Sequence, residues 1–417
     1  MGDSTAKRVK RRRVFYVPGF DPFHPRRYRE LYRTEAAAQA EISGYHLSLK
    51  AAGQGGRYGW RVTAVMEGVE VSSDVEVLVW SDIVRASMSD GICATYWQLV
   101  KTVWVYVGSG AIFRLSRLRK GPTIAALYPI VMLLAQLFLG VGLFGLAWHF
   151  TSAGLTAMAN RAGVGHFGAL QNWMAGIVGL MSAAGLLAWF RTKDKWFYAY
   201  YLMHDYAFTA QANGANPPVL EARLVMFKER IAAALSEDWD EVLVVGHSSG
   251  AHLAVSVLAD LIRSGAVPKE AGIAFLSLGQ VVPMASFLPK AQRLRADLAY
   301  LSARAELTWV DVTAPGDGCA FALCDPVSVT GVAPVGKRWP LILSAAFTQT
   351  LSPERWHALR WRFFRLHFQY LCAFDRPGDY DYFQITAGPR GLADRFKDRE
   401  PSKSRIETVW NRYRDIA

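Results

Sequence analysis

The chain reads as an α/β protein whose mainly parallel sheet, with helices on both faces, is interrupted by a two-helix transmembrane hairpin. Short apolar runs at residues 14–17, 242–245, 273–278 and 307–312 have the length and branched content of strands buried on both faces. Helix-compatible stretches at 27–41, 219–235 and 290–303 are interspersed with them, the pattern of a parallel sheet with crossover helices. Residues 122–150 and 167–190 contain no Asp, Glu, Lys or Arg, and each exceeds the ~20 apolar residues needed to cross hydrocarbon.

The two uncharged runs are apolar or small around their whole circumference, unlike core helices of soluble proteins, which keep a polar stripe. Trp148, Trp173, Trp189 and Trp196-Phe197-Tyr198 lie near the ends, where amphipathic rings prefer the interface. Gly140, Gly142, Gly145, Gly176 and Gly179 offer close helix contact. Arg114, Arg117, Arg119 and Lys120 precede the first run, and Arg191, Lys193 and Lys195 follow the second, whereas residues 151–166 between them carry only Arg161. Basic flanks stay inside, so both ends of the hairpin are expected on the cytoplasmic side of an inner membrane. The expected division is residues 1–108 and 196–417 for the two parts of one soluble domain, with 109–195 as the hairpin.

Composition agrees with that division. The chain has 417 residues and is 52% hydrophobic, enough for one large core besides the membrane insert. The net charge of +12 includes Lys7-Arg8, Lys10-Arg11-Arg12-Arg13 and Arg26, Arg27, Arg29 and Arg33, which makes anionic lipid the expected partner and leaves nucleic acid the weaker one. The basic start leads into a short run broken by Pro18, which excludes a secretory signal core. Cys93, Cys319, Cys324 and Cys372 show no metal-ligand spacing and fit a reducing compartment; no metal or other cofactor is expected.

Residues 45–50, 60–66 and 69–71 read as short strands separated by turns such as Gly53-Gln54-Gly55-Gly56, and 75–80 as a longer strand ending at Ser81-Asp82. The most informative motif is Gly246-His247-Ser248-Ser249-Gly250, which follows an apolar strand and precedes a helical stretch. A Gly-x-Ser-x-Gly turn between strand and helix holds a serine hydroxyl on a strained tip above a sheet, while its glycines let strand and helix backbones pass closely. Ser248 is therefore the expected nucleophile, flanked by Gly246 and Gly250.

With these elements placed, the chain resembles the α/β-hydrolase superfamily of serine esterases and lipases over residues 13–81 and 196–386, the hairpin lying outside the resemblance. The resemblance implies a triad in the chain order Ser, Asp, His. Asp317 in the loop past the strand at 307–312 is the preferred acid, with Asp311 and Asp325 behind it, because catalytic groups belong at the carboxyl ends of strands. Only His357 and His367 follow Asp317, and His367, in Arg365-Leu366-His367-Phe368-Gln369-Tyr370, is the better base because its neighbours keep water away. His247 is a poor rival, since adjacent residues on a turn diverge. The oxyanion hole implied by the resemblance combines the amides of Ser249 and Phe20, with Gly19 letting the backbone approach.

The expected function is a membrane-anchored serine hydrolase acting on lipid or other apolar esters or thioesters. Acyl transfer to an alcohol uses the same constellation. A membrane scaffold that keeps the fold without the activity is the alternative from another class, and a transporter component is disfavoured by the absence of intramembrane charge. The departures from the family pattern are the position of the insert, ahead of the nucleophile strand, and the absence of antiparallel strands before residue 14; residues 45–71 are expected to replace those strands at the sheet edge.

Overall fold

The computed structural model describes residues 8–52, 58–88, 91–164, 167–268 and 272–417. Eight strands make its sheet: β1 (Arg11–Val17), β2 (His46–Ala52), β3 (Tyr58–Met66), β4 (Val69–Val77), β5 (Glu241–His247), β6 (Ile273–Leu278), β7 (Leu307–Thr313) and β8 (Leu341–Ser344). Their order is β2-β3-β4-β1-β5-β6-β7-β8. The first three pair antiparallel, and every pair from β4 onward is parallel. The early hairpin strands thus occupy one edge, as the sequence implied.

Two expectations need correction. Residues 69–71 and 75–80 are not separate strands: β4 runs through Ser72, Ser73 and Asp74 because each pairs with β3, and Arg61 clasps Asp74 at 2.5 and 2.7 Å. Residues 78–80 lie beyond that strand. The four-residue β8 was not expected; it extends the parallel edge beside β7. The turn Gly53-Gln54-Gly55-Gly56 and Lys7 lie outside the described residues.

The central strands are buried on both faces, which explains their unbroken apolar runs. On one face Val14, Tyr16, Leu243, Val245, Val310 and Val312 pack with Tyr28 and Tyr32 of the helix Arg26–Ser43 and Phe383 of the helix Tyr382–Ala387. The alternate residues Phe15, Val244, Phe275 and Trp309 are equally inaccessible. Parallel strands need crossovers, and the helices Pro218–Leu235, Ser249–Arg263 and Gln292–Ser302 lead into or join β5, β6 and β7.

The chain divides into two compact units, one of Met1–Ser87, Val105–Thr123 and Thr209–Ala417, the other of Met88–Trp104 and Ile124–Phe208. The first holds the sheet. The second holds most of the helix Lys120–Arg161 and all of Ala169–Thr192, both long and apolar enough to cross a membrane. The first of these has 42 residues, about 63 Å at ~1.5 Å per residue, because helix continues through residues 151–161, beyond the uncharged run. Gln171 answers that extension by donating to the Ser152 carbonyl and the Thr156 hydroxyl at 3.1 and 2.8 Å. Of the five hairpin glycines, Gly179 lies where a Cβ would come within 2.9 Å of the Phe144 carbonyl and Gly140 faces Leu187, whereas Gly142, Gly145 and Gly176 border open space.

Candidate active site

Ser248 lies between β5 and the helix Ser249–Arg263 with φ 57° and ψ −125°, a backbone conformation that a residue with a side chain rarely adopts. Two features hold it there. The Ser248 amide donates to the Leu278 carbonyl at the end of β6 at 2.9 Å. The flanking backbone leaves no room for larger residues: a Cβ on Gly246 would lie 2.7 Å from Ala251 Cα, and one on Gly250 2.1 Å from the Val17 carbonyl.

The loop after β1 abuts this turn. A Cβ on Gly19 would lie 2.9 Å from Ser248 Cβ and 3.4 Å from its Oγ. The Trp80 indole donates to the Pro18 carbonyl at 2.9 Å, and Asp21 accepts from the Phe23 amide and pairs with Arg27, so the loop is held on both sides. The Phe20 amide donates to Ser249 Oγ at 2.8 Å. The two residues expected to line the oxyanion hole are therefore neighbours, and the Phe20 amide is occupied by the Ser249 hydroxyl.

Asp317 and His367 meet. His367 Nδ1 lies 2.7 Å from Asp317 Oδ2, and both side chains are buried. The Tyr370 hydroxyl donates to the same oxygen at 3.0 Å and accepts from the Ala314 amide, while the Cys319 amide donates to Oδ1 at 2.9 Å. Burial by itself would raise the Asp317 carboxyl, but the adjacent His367 and these donors outweigh it and hold the group below its ordinary range. Each carboxylate oxygen thus has a donor.

The other acids have different work. Asp325 caps the helix Pro326–Thr330 through the amides of Val327 and Ser328 and pairs with Lys337. Asp311 is buried within β7, where one oxygen accepts from Ser277 Oγ at 2.5 Å, and burial pushes its carboxyl up to about 8. His357 is exposed on the helix Pro353–Leu359. His247 is buried, pushed down to about 3 by burial and by the charge of His367, and its Nε2 donates to the His367 carbonyl at 3.0 Å.

Sequence reasoning missed Tyr370 and Gly279. Gly279, at φ 51° after β6, leaves space that a Cβ would deny, 3.1 Å from His367 Cε1 and 2.7 Å from Tyr370 Cε2. Tyr370 was legible only as the residue three positions past His367. A cavity of about 460 Å³ opens beside the loop of Asp317, lined by Pro315, Gly316, Ser344, Phe347, Asp379 and Arg399, with none of Ser248, Asp317 and His367 on its wall.

Asp317, Cys319 and His367 also bring three ligand atoms within 4.8 Å of one another. Both Asp317 oxygens of that cluster already accept hydrogen bonds. The contacts bring His367 to Asp317 and the loop at Gly19 to Ser248. No protein-family model, curated protein or solved structure matches this chain.

Proposed function

We propose that this chain is a membrane-anchored serine hydrolase of α/β-hydrolase type, cleaving lipid or other apolar esters or thioesters through an acyl-enzyme on Ser248. The observation that carries the reading is the buried 2.7 Å pair of His367 and Asp317, reached in the chain order that a Gly-x-Ser-x-Gly elbow requires. Ser248, Asp317 and His367 follow β5, β7 and β8 in turn, all at the carboxyl side of parallel strands.

Ser248 Oγ attacks the acyl carbonyl while Nε2 of His367 accepts its proton. Asp317 accepts the Nδ1 hydrogen bond and stabilises the imidazolium that forms. The oxyanion draws on the amide of Ser249 and, once the Ser249 hydroxyl releases it, on that of Phe20, and losing one such donor typically costs about 3 kcal/mol at the transition state. As the intermediate collapses, the proton passes from Nε2 to the leaving alcohol or thiol. Water then repeats the sequence against the acyl-enzyme and releases the carboxylic acid.

The membrane clause is supported by burial. Only 17% and 11% of the apolar stretches of the two long helices are covered within the protein, far less than core helices of a soluble fold bury. Their basic flanks favour a cytoplasmic active site. The test is mass spectrometry of the chain mixed with an activated fatty-acyl ester and quenched early. An acyl adduct on Ser248 supports the proposal; turnover with no adduct on any serine defeats it.

A further inference from the structure

The first turn of the helix Lys120–Arg161 is in backbone contact with the acid loop: a Cβ on Gly121 would lie 3.1 Å from the Gly318 carbonyl, one residue past Asp317. Arg119 adds a hydrogen bond from Nε to the Ala322 carbonyl at 2.7 Å. On the same loop, a Cβ on Gly318 would lie 3.2 Å from the ring of Phe363. Phe363 belongs to the segment Arg360-Trp361-Arg362-Phe363-Phe364-Arg365, which ends two residues before His367.

That segment is aromatic and basic at the surface. Trp361 is 73% exposed and Phe363 48% exposed, and Arg362 and Arg365 beside them are exposed as well. Among the described residues no carboxylate pairs with Arg360, Arg362 or Arg365, whereas the arginines nearby on the same unit, Arg355 and Arg399, have acidic partners. Exposed tryptophan and phenylalanine interleaved with unpaired arginines match an interface rich in acidic headgroups, since the rings favour the headgroup level and the guanidinium groups find phosphate.

We infer that residues 360–365 are an interfacial segment that lies among the headgroups of an anionic bilayer. The segment brings the mouth of the serine site to the lipid surface, so the substrate is an acyl ester resident in the membrane. The substrate clause rests on the serine-hydrolase proposal; the lipid contact does not.

The experiment uses the full chain in vesicles of phosphatidylcholine and phosphatidylglycerol, with a nitroxide on Trp361→Cys in a Cys93→Ser parent that supplies the background. The expected result is a ratio of oxygen to water-soluble nickel-chelate collision between that of a label at Phe138 on the long apolar helix and that of one at Asp238. A Trp361 label as open to nickel as the Asp238 label, or shielded from both reagents by protein, overturns the inference. Trp361 is exposed, so the substitution does not threaten folding. Serine reactivity is read separately on the same vesicles with a fluorophosphonate. An unreactive Ser248 with a lipid-buried label removes the substrate clause alone, and a reactive Ser248 with a water-exposed label removes the surface alone.

Discussion

His247 and His367 lie with ring centroids 4.9 Å apart, and the Nε2–H of His247 ends on the backbone carbonyl of His367 at 3.0 Å. Because burial pushes His247 down to about 3, its imidazole stays neutral across the working range and serves as a fixed donor. In the proposed site it positions His367. His247→Ala leaves a buried carbonyl unpaired, which costs about 1–3 kcal/mol of stability. The expected outcome is a fall in kcat of at least about tenfold with KM little changed, partly recovered in His247→Gln, which restores an N–H donor. Steady-state kinetics on one ester would refute the role if the alanine variant kept full kcat.

Asp317 carries the pH dependence. Burial would raise it, but His367, the Cys319 amide and the Tyr370 hydroxyl hold it below its ordinary 3.8. A carboxyl whose folded pKa lies below its unfolded one contributes stability above the unfolded value, and that stability is lost as pH falls through the folded value. Tyr370→Phe removes one donor and raises the folded value, so acid unfolding should begin at higher pH than in the parent. Asp317→Asn should lower kcat by about 10⁴ through loss of the correct imidazole tautomer. Acid titrations followed by circular dichroism check the first effect, and turnover checks the second.

Asp311 titrates in the opposite sense. With its carboxyl pushed up to about 8, it stays protonated in the fold over a range where the unfolded chain would ionise it. The native state therefore binds more protons than the unfolded state between about pH 4 and pH 8, and stability declines as pH rises through that interval. Asp311→Asn keeps the acceptor for Ser277 and removes the ionisation. It should raise Tm most at alkaline pH and hardly at all near pH 4, with serine reactivity retained; an equal shift at both pH values would contradict the assignment.

Gly19 sets the spacing between the loop after β1 and the elbow. A methyl group there would meet Ser248 Cβ at 2.9 Å, so Gly19→Ala must push the nucleophile or the loop aside. Labelling of Ser248 should slow by at least about tenfold, a loss of ~1.4 kcal/mol in activation free energy. Gly108→Ala, at a position with nothing within 4 Å of the added methyl, is the control and should leave the rate unchanged.

Much of this arrangement was legible in the chain because its signals are local. β5, β6 and β7 are apolar runs buried on both faces, and the Gly246 to Gly250 turn has its strand and helix on either side. The pairing of Asp317 with His367 was reached through chain order, and the structure brings those two together. What was hidden depends on tertiary contact. β8 is too short to show a period, and the middle of β4 looks like a break because Ser72, Ser73 and Asp74 are polar, although Ser73 is fully buried. Tyr370 and Gly279 gain their meaning only when β6 and residues 367–370 meet. The hydroxyl of Ser249 on the Phe20 amide has no signature along the chain at all.

The central claim is that Ser248 is an activated nucleophile, and fluorophosphonate labelling of membranes carrying the full chain tests it most directly. The account predicts covalent labelling of the parent, none in Ser248→Ala, and strongly slowed labelling in His367→Ala with the fold intact. A folded parent that resists the probe, or a Ser248→Ala variant that labels as the parent does, would contradict it.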